Sequence, residues 1–188
     1  MFLDASENME LYDIETGTEP YLEGVWIAWE VSENSTSEAM TEAVYQKTKE
    51  MLKNEGKLFT LFDGEHSVSI GSIRAVGEKY PDLTVLQFDA HTDLRPDFHG
   101  STSNHACAVF EASQKLNLLQ VGIRSCDLEE MQYVPKGQCF CAHEIATNPN
   151  WIDDVLAIVS GNVYITIDLD AFDPSFAPST GTPNGIQL

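Results

Sequence analysis

Carboxylates and imidazoles recur at the ends of apolar runs in this chain, in types and spacings that suit the binding of divalent metal ions. In "LQFDAHTDLRPD" (86–97), Asp89, His91 and Asp93 stand at alternate positions directly after an apolar run. Successive side chains of a strand point to opposite faces, so residues i, i+2 and i+4 share one side and these three should converge. "VYITIDLDAFDP" (163–174) repeats the device, delivering Asp168 and Asp170 at i and i+2. His66, in the loop "DGEHS", follows a third run at 57–62. Three strand ends thus offer six ligands to one site.

Four carboxylates and two imidazoles amount to −4 before any cation is added. Crowding that charge without a counter-ion would cost several kcal/mol or force proton uptake, and two divalent ions would balance it. Carboxylate-rich mixed oxygen and nitrogen ligation suits Mn²⁺ better than a thiolate site does, although ligand type alone leaves Zn²⁺ and Fe²⁺ open. A carboxylate bridging two ions about 3.5 to 4 Å apart would hold a hydroxide between them near neutral pH, so the implied reaction is hydrolysis. Taken singly, an Asp at a strand end is a turn or helix cap and a His a satisfied polar residue; the joint pattern argues for ligation. His105 is the best general acid–base candidate, because imidazole titrates near neutrality.

The elements that must position these residues follow from periodicity. Ser35 with Glu38 forms a capping-box pattern ahead of apolar residues at helical spacing, with Gly56 at the expected stop. A strand at 57–62 follows, then a helix from Val68 to Tyr80 ended by Pro81, a strand at 83–89, a helix from His105 to Leu116, a strand at 118–124, a helix at 151–159 and the strand from 163. Alternating strand and helix predicts an α/β fold with a parallel sheet covered on both faces. Ligands in such sheets bind beyond the carboxyl ends of the strands, where all six candidates lie.

A length of 188 residues and the absence of repeats or linkers predict one domain over 1–188. Ten Lys and Arg against 30 Asp and Glu give a net charge of −20, which argues against nucleic acid or an anionic membrane and would welcome a cationic substrate. No basic-then-apolar leader opens the chain, and no run approaches ~18 apolar residues, so the cytoplasm is the expected location. The four cysteines, with C-F-C rather than C-x-x-C as the close pair, read as small apolar filler. His99 reads as a loop residue near the mouth of the site, and His143 as a surface residue.

"DGEHSVS", "FDAHTDLR", "TSNHA" and "ITIDLDAFDPSFAPSTGTP" resemble, in order and spacing, the signature segments of the ureohydrolases, the arginase and agmatinase family, with "DAHTDLR" closest to agmatinases. The resemblance runs from about Lys57 to Pro183. It implies a three-layer αβα arginase-like fold, two Mn²⁺ ions, and hydrolysis of a guanidino group, with agmatine giving putrescine and urea as in polyamine biosynthesis. By the same resemblance His66, Asp89, Asp93 and Asp168 hold one ion and His91, Asp89, Asp168 and Asp170 the other, with Asp89 and Asp168 bridging. Asp93 would orient the hydroxide and take its proton, His105 would shuttle a proton to the leaving amine, and Asp127 would face the far end of a small cationic guanidino substrate or cap a helix. A homo-oligomer is the family's expectation. Formimidoylglutamate, guanidinobutyrate and arginine are alternative substrates, and Arg95 and Arg124 are candidates for an acidic substrate tail. A non-catalytic metal-binding scaffold or interaction subunit is the rival reading.

Two departures stand out. Asp63 replaces the first glycine of the family's G-G-[DE]-H-S, and would be strained if that position needs φ > 0. The family's G-T-P-E-P-G-G and the later strands and helices, one bearing a Glu that holds the guanidinium, are replaced by "GTPNGIQL", ending at Leu188. The fold is therefore expected to lack its C-terminal strands and helices, leaving the strand at 163–169 with an unpaired edge and exposed apolar surface.

Overall fold

Helix α1 (Ser37–Met51) starts one residue later than its sequence signature suggests. In the computed structural model, which describes residues 9–24, 26–28 and 30–182, Thr36 rather than Ser35 is the cap. Its backbone is extended and its Oγ1 accepts the Ala39 amide at 3.1 Å, satisfying a donor that the first helical turn leaves free. Glu38 accepts instead from Ser101 Oγ at 2.7 Å. Thr41, Val44 and Thr48 form the buried stripe of α1, which packs on α2 (Val68–Lys79). The crossing depends on Gly71, where a Cβ would stand 2.2 Å from the Thr41 carbonyl oxygen. Only glycine permits so close a backbone approach.

The predicted strand at 57–62 is absent among the described elements. Exposure does alternate there, with Phe59 and Leu61 half-buried between exposed Leu58, Thr60 and Phe62. A strand also needs a ladder, and the described pairings give this segment none. Strand β1 (Thr84–Phe88) forms as expected after Pro81. The predicted helix from His105 to Leu116 is split into a 3-10 turn, His105–Cys107, and α3 (Phe110–Lys115). The break falls at Val109, whose amide donates to the Asp93 carbonyl at 3.3 Å while the Ala106 carbonyl accepts from Arg95 N. Those long-range bonds compete with the helical ladder and win.

Strand β2 (Asn117–Ile123) matches expectation; the short edge strand β3 (Cys139–Cys141) and one-turn helix α4 (Ala142–Ile145) were not anticipated. Helix α5 (Trp151–Ile158) and strand β4 (Val163–Ile167) complete the series. The sheet runs β3-β2-β1-β4 and every pair is parallel. On one face Val85, Leu118 and Leu83 pack with Ile73 and Val76 of α2 and Ala112 of α3. On the other, Leu86, Leu119 and Val121 pack with Val155 of α5. These are the three layers. The edge strand β4 leaves Val163, Ile165 and Ile167 exposed at 42, 56 and 58%, in keeping with the expected uncovered surface.

The described chain forms two compact units, one ending at Glu30 and the other beginning at Val31. The first carries a turn closed by the Asp13–Thr18 bridge, where Asp13 accepts from Thr16 Oγ1, and a 3-10 turn at Pro20–Glu23. Among the described residues no helix is long and apolar enough to cross a membrane.

Candidate metal centre

Five of the six expected ligands meet, but not by strand alternation. β1 ends at Phe88, and residues 89–93 form a loop in which Asp93 adopts φ +50. The loop is shaped by hydrogen bonds. Asp89 Oδ1 accepts the His91 amide at 2.7 Å, His91 bridges to Ser125 beyond β2, and buried Glu130 accepts from both neighbours of Asp93. Glu130 Oε1 takes Thr92 Oγ1 at 3.0 Å and Leu94 N at 2.8 Å, while its Oε2 takes Asp127 N at 2.9 Å. A left-handed Asp is uncommon, and these anchors hold it.

The ligands fall into two clusters that share Asp89: His66, Asp89 and Asp93 in one, Asp89, His91 and Asp170 in the other. His66 Nδ1 lies 2.8 Å from Asp93 Oδ2 and 3.1 Å from Asp89 Oδ2. His91 Nδ1 lies 3.0 Å from Asp170 Oδ2 and 3.6 Å from Asp89 Oδ1. Asp89 therefore turns one oxygen toward each cluster. Asp168 stands beside them rather than in them; its Oδ1 accepts the Asp170 amide at 3.0 Å, capping the 3-10 turn Leu169–Ala171. Asp170 is held by the Ala90 amide at 3.1 Å and Thr182 Oγ1 at 3.0 Å.

The charged groups of the site act strongly on one another. Burial pushes His66 down, but its hydrogen bonds to Asp89 and Asp93 outweigh burial and raise it well above the ordinary imidazole value. His91 is raised to about 10 by its hydrogen bonds to Asp170 and Asp89. Burial lifts Asp93 to about 6 and pushes Asp168 up. For Asp89 burial acts upward, yet the bonds from His66 and His91 hold it below the carboxylate range. The crowded carboxylates thus favour the charged form of both rings, and cations would offset the same carboxylates once the rings became ligands. The donor set, imidazole nitrogen with carboxylate oxygen and no thiolate, fits divalent ions such as Mn²⁺.

Several surrounding residues were not legible as functional. Thr166 Oγ1 contacts His66 Nε2 at 3.0 Å. Glu65 lies with Oε1 3.3 Å from His105 Nδ1 and accepts the Ser67 amide; His105 itself is half-exposed, 6.0 Å between ring centroids from Phe98. The strain expected at Asp63 does not arise: Asp93 and His99 are the positive-φ non-glycine residues among those described, and Asp63 Oδ1 accepts the Glu65 amide at 3.2 Å. Arg124 is engaged within the protein. Its guanidinium donates to the carbonyls of Asp170, Ala171 and Phe172, pinning the turn that carries Asp170. Arg95 pairs with Asp127 and stands 3.8 Å from Glu130. Asp127 is largely exposed, and its carboxylate holds Arg95 rather than capping a helix. His99 and His143 are exposed. All four cysteines are free.

Known proteins resemble both sequence and fold. The sequence profile of the arginase family matches residues 2–186. An N(1)-aminopropylagmatine ureohydrolase of Synechocystis sp. is 36% identical over 96% of this chain and 62% of its own length. An agmatinase of Bacillus subtilis is 38% identical over 68% of this chain and 45% of its own. The crystal structure of agmatine ureohydrolase of Thermoplasma volcanium superposes with a TM-score of 0.86 at 27% identity, covering 98% of this chain and 64% of that one. The chain thus spans less than two thirds of the length of these relatives. The family match across nearly every residue, the parallel sheet and the paired His/Asp clusters at its carboxyl end agree: the chain belongs to the arginase family.

Proposed function

We propose that this chain carries the metal-binding half-site chemistry of a ureohydrolase, hydrolysing the guanidino group of a small cationic substrate to an amine and urea. The observation that carries the reading is the sharing of Asp89 between two His/Asp clusters, an arrangement that suits a pair of divalent ions. His66, Asp89 and Asp93 would hold one and His91, Asp89 and Asp170 the other, with Asp168 the further ligand. Bound there, such ions, Mn²⁺ on the donor set, supply a water acidic enough to lose its proton near neutral pH. Asp93, held in its left-handed conformation beside His66, would be the carboxylate placed to orient a water there and receive a proton. His105, with Nδ1 beside Glu65, keeps Nε2 for proton transfer to the leaving amine. The acidic surface favours approach of a cation.

Agmatine, giving putrescine and urea, is the first substrate. N(1)-aminopropylagmatine is the second, favoured by the relative that aligns over 96% of the chain; both present a guanidinium on an alkyl amine. The test is urea release from each compound by the purified chain with Mn²⁺, beside Asp168→Ala and Asp170→Ala. Release that disappears in both variants supports the reading and ranks the substrates. A folded, metal-loaded sample that releases none assigns this chain the scaffold role instead.

A further inference from the structure

The middle of the sheet contains two fully buried amides where apolar side chains would ordinarily pack. Gln87 of β1 and Gln120 of β2 are register partners, and both are 0% exposed. Each uses both of its N–H bonds. Gln120 Nε2 donates to Gln87 Oε1 at 2.7 Å and to the Thr92 carbonyl at 2.8 Å. Gln87 Nε2 donates to Asp89 Oδ2 at 2.9 Å and to the His91 carbonyl at 3.3 Å. The two oxygens facing each nitrogen fix both amide orientations, so the chain of bonds has one direction, from Gln120 through Gln87 to Asp89.

A pair kept for stability alone would be a poor choice, because Gln120 Oε1 is buried without a hydrogen-bond partner, and an unsatisfied buried acceptor is destabilising. What the pair does obtain is control of Asp89. One carboxylate oxygen is held by the His91 amide and the other by Gln87, which sets the carboxylate plane and directs one oxygen toward each cluster. The same amides hold the carbonyls of His91 and Thr92, so the loop that presents His91 and Asp93 is sewn to the strand beneath it.

We infer that Gln87, backed by Gln120, is a positioning residue that fixes the rotation of the Asp89 carboxylate shared by the two clusters. The inference rests on the metal-centre reading above, which it deepens. Donors that orient a ligating carboxylate commonly change metal affinity 10–100-fold when removed. The experiment compares the full chain with Gln87→Met, Gln120→Met and the double variant, since Met keeps the volume and removes the donors. Manganese titration followed by the loss of the free-ion paramagnetic resonance signal is expected to show affinity lowered about 10–100-fold in Gln87→Met, and no further in the double variant, with urea-induced unfolding used to establish that each variant is folded under the titration conditions. Additive losses of affinity, or an unchanged affinity in Gln87→Met, overturn the proposal. In metal-free, ¹³C-labelled protein the Asp89 carboxyl resonance is expected to move in Gln87→Met; an unmoved resonance also overturns it. Native protein that takes up no manganese refutes the metal-centre reading, and the carboxyl resonance then decides the positioning role by itself.

Discussion

Glu130 Oε1 accepts the Leu94 amide at 2.8 Å across 36 residues of sequence. With Thr92 Oγ1 on the same oxygen and Asp127 N on the other, one buried carboxylate fixes both sides of the left-handed Asp93. Removing it leaves an amide, a hydroxyl and a second amide without their acceptor. Bonds to a charged group contribute about 1.5–3 kcal/mol each, and their losses are not additive.

Glu130→Ala should therefore lower stability by about 2–4 kcal/mol, read from the midpoint of urea unfolding at constant slope. Glu130→Gln should lie between, because its nitrogen would face one of the amides that the carboxylate accepts. Manganese affinity should fall in both. Unchanged unfolding midpoints would show that the loop holds Asp93 without Glu130.

Metal binding should strengthen with pH. In the metal-free protein both rings retain protons, His91 up to about 10 and His66 also raised, and a ring can ligate only after losing its proton. One proton should leave as each cluster fills, so the affinity for each ion should rise by up to about tenfold per pH unit in the neutral range, and the overall two-ion constant by up to about 100-fold. Below about 6, protonation of Asp93 steepens the dependence further. Proton release into weakly buffered solution during manganese titration measures the number.

Without metal the stability dependence has the opposite sign. His91 has a folded value of about 10 against an ordinary 6.5, so its contribution is complete below pH 6.5 and is lost as pH rises toward 10. Thermal melts in chelator should fall over that window, and His91→Gln should flatten the fall.

The crossing of α1 and α2 gives a packing test. Gly71→Ala places a carbon 2.2 Å from the Thr41 carbonyl, so the helices must separate, at about 1–3 kcal/mol. Gly64→Ala, with no heavy atom within 4 Å of the added carbon, should be close to neutral. Parallel thermal melts distinguish the two.

Arg124→Ala should loosen the turn at 169–171, because three carbonyls lose a charged donor. Reduced stability together with weaker manganese binding is expected, and Arg124→Lys should recover little, since one ammonium cannot reproduce a planar fork. A variant that binds manganese normally would separate Arg124 from the site.

The sequence by itself determined which groups are available for ligation and the α/β alternation that brings strand ends together. Asp89, His91, Asp93, Asp170 and His66 were legible as candidates because ligand chemistry resides in side-chain type, and the structure brings them together; apolar runs such as 84–88 and 163–167 carry their own strand signal. The tertiary structure decided the partnerships. Residues 57–62 have the strand pattern yet gain no ladder, because a ladder is a property of two segments. Asp93, rather than Asp63, takes the left-handed conformation because Glu130, far along the chain, supplies the anchors. Arg95 and Arg124 are engaged by carboxylates and carbonyls that periodicity could not place beside them. Gln87 and Gln120 look like isolated polar interruptions of apolar strands. Only the parallel register of β1 and β2 makes them a pair aimed at Asp89, because hydrogen-bond satisfaction is settled by what lies across the sheet rather than by what lies next in sequence.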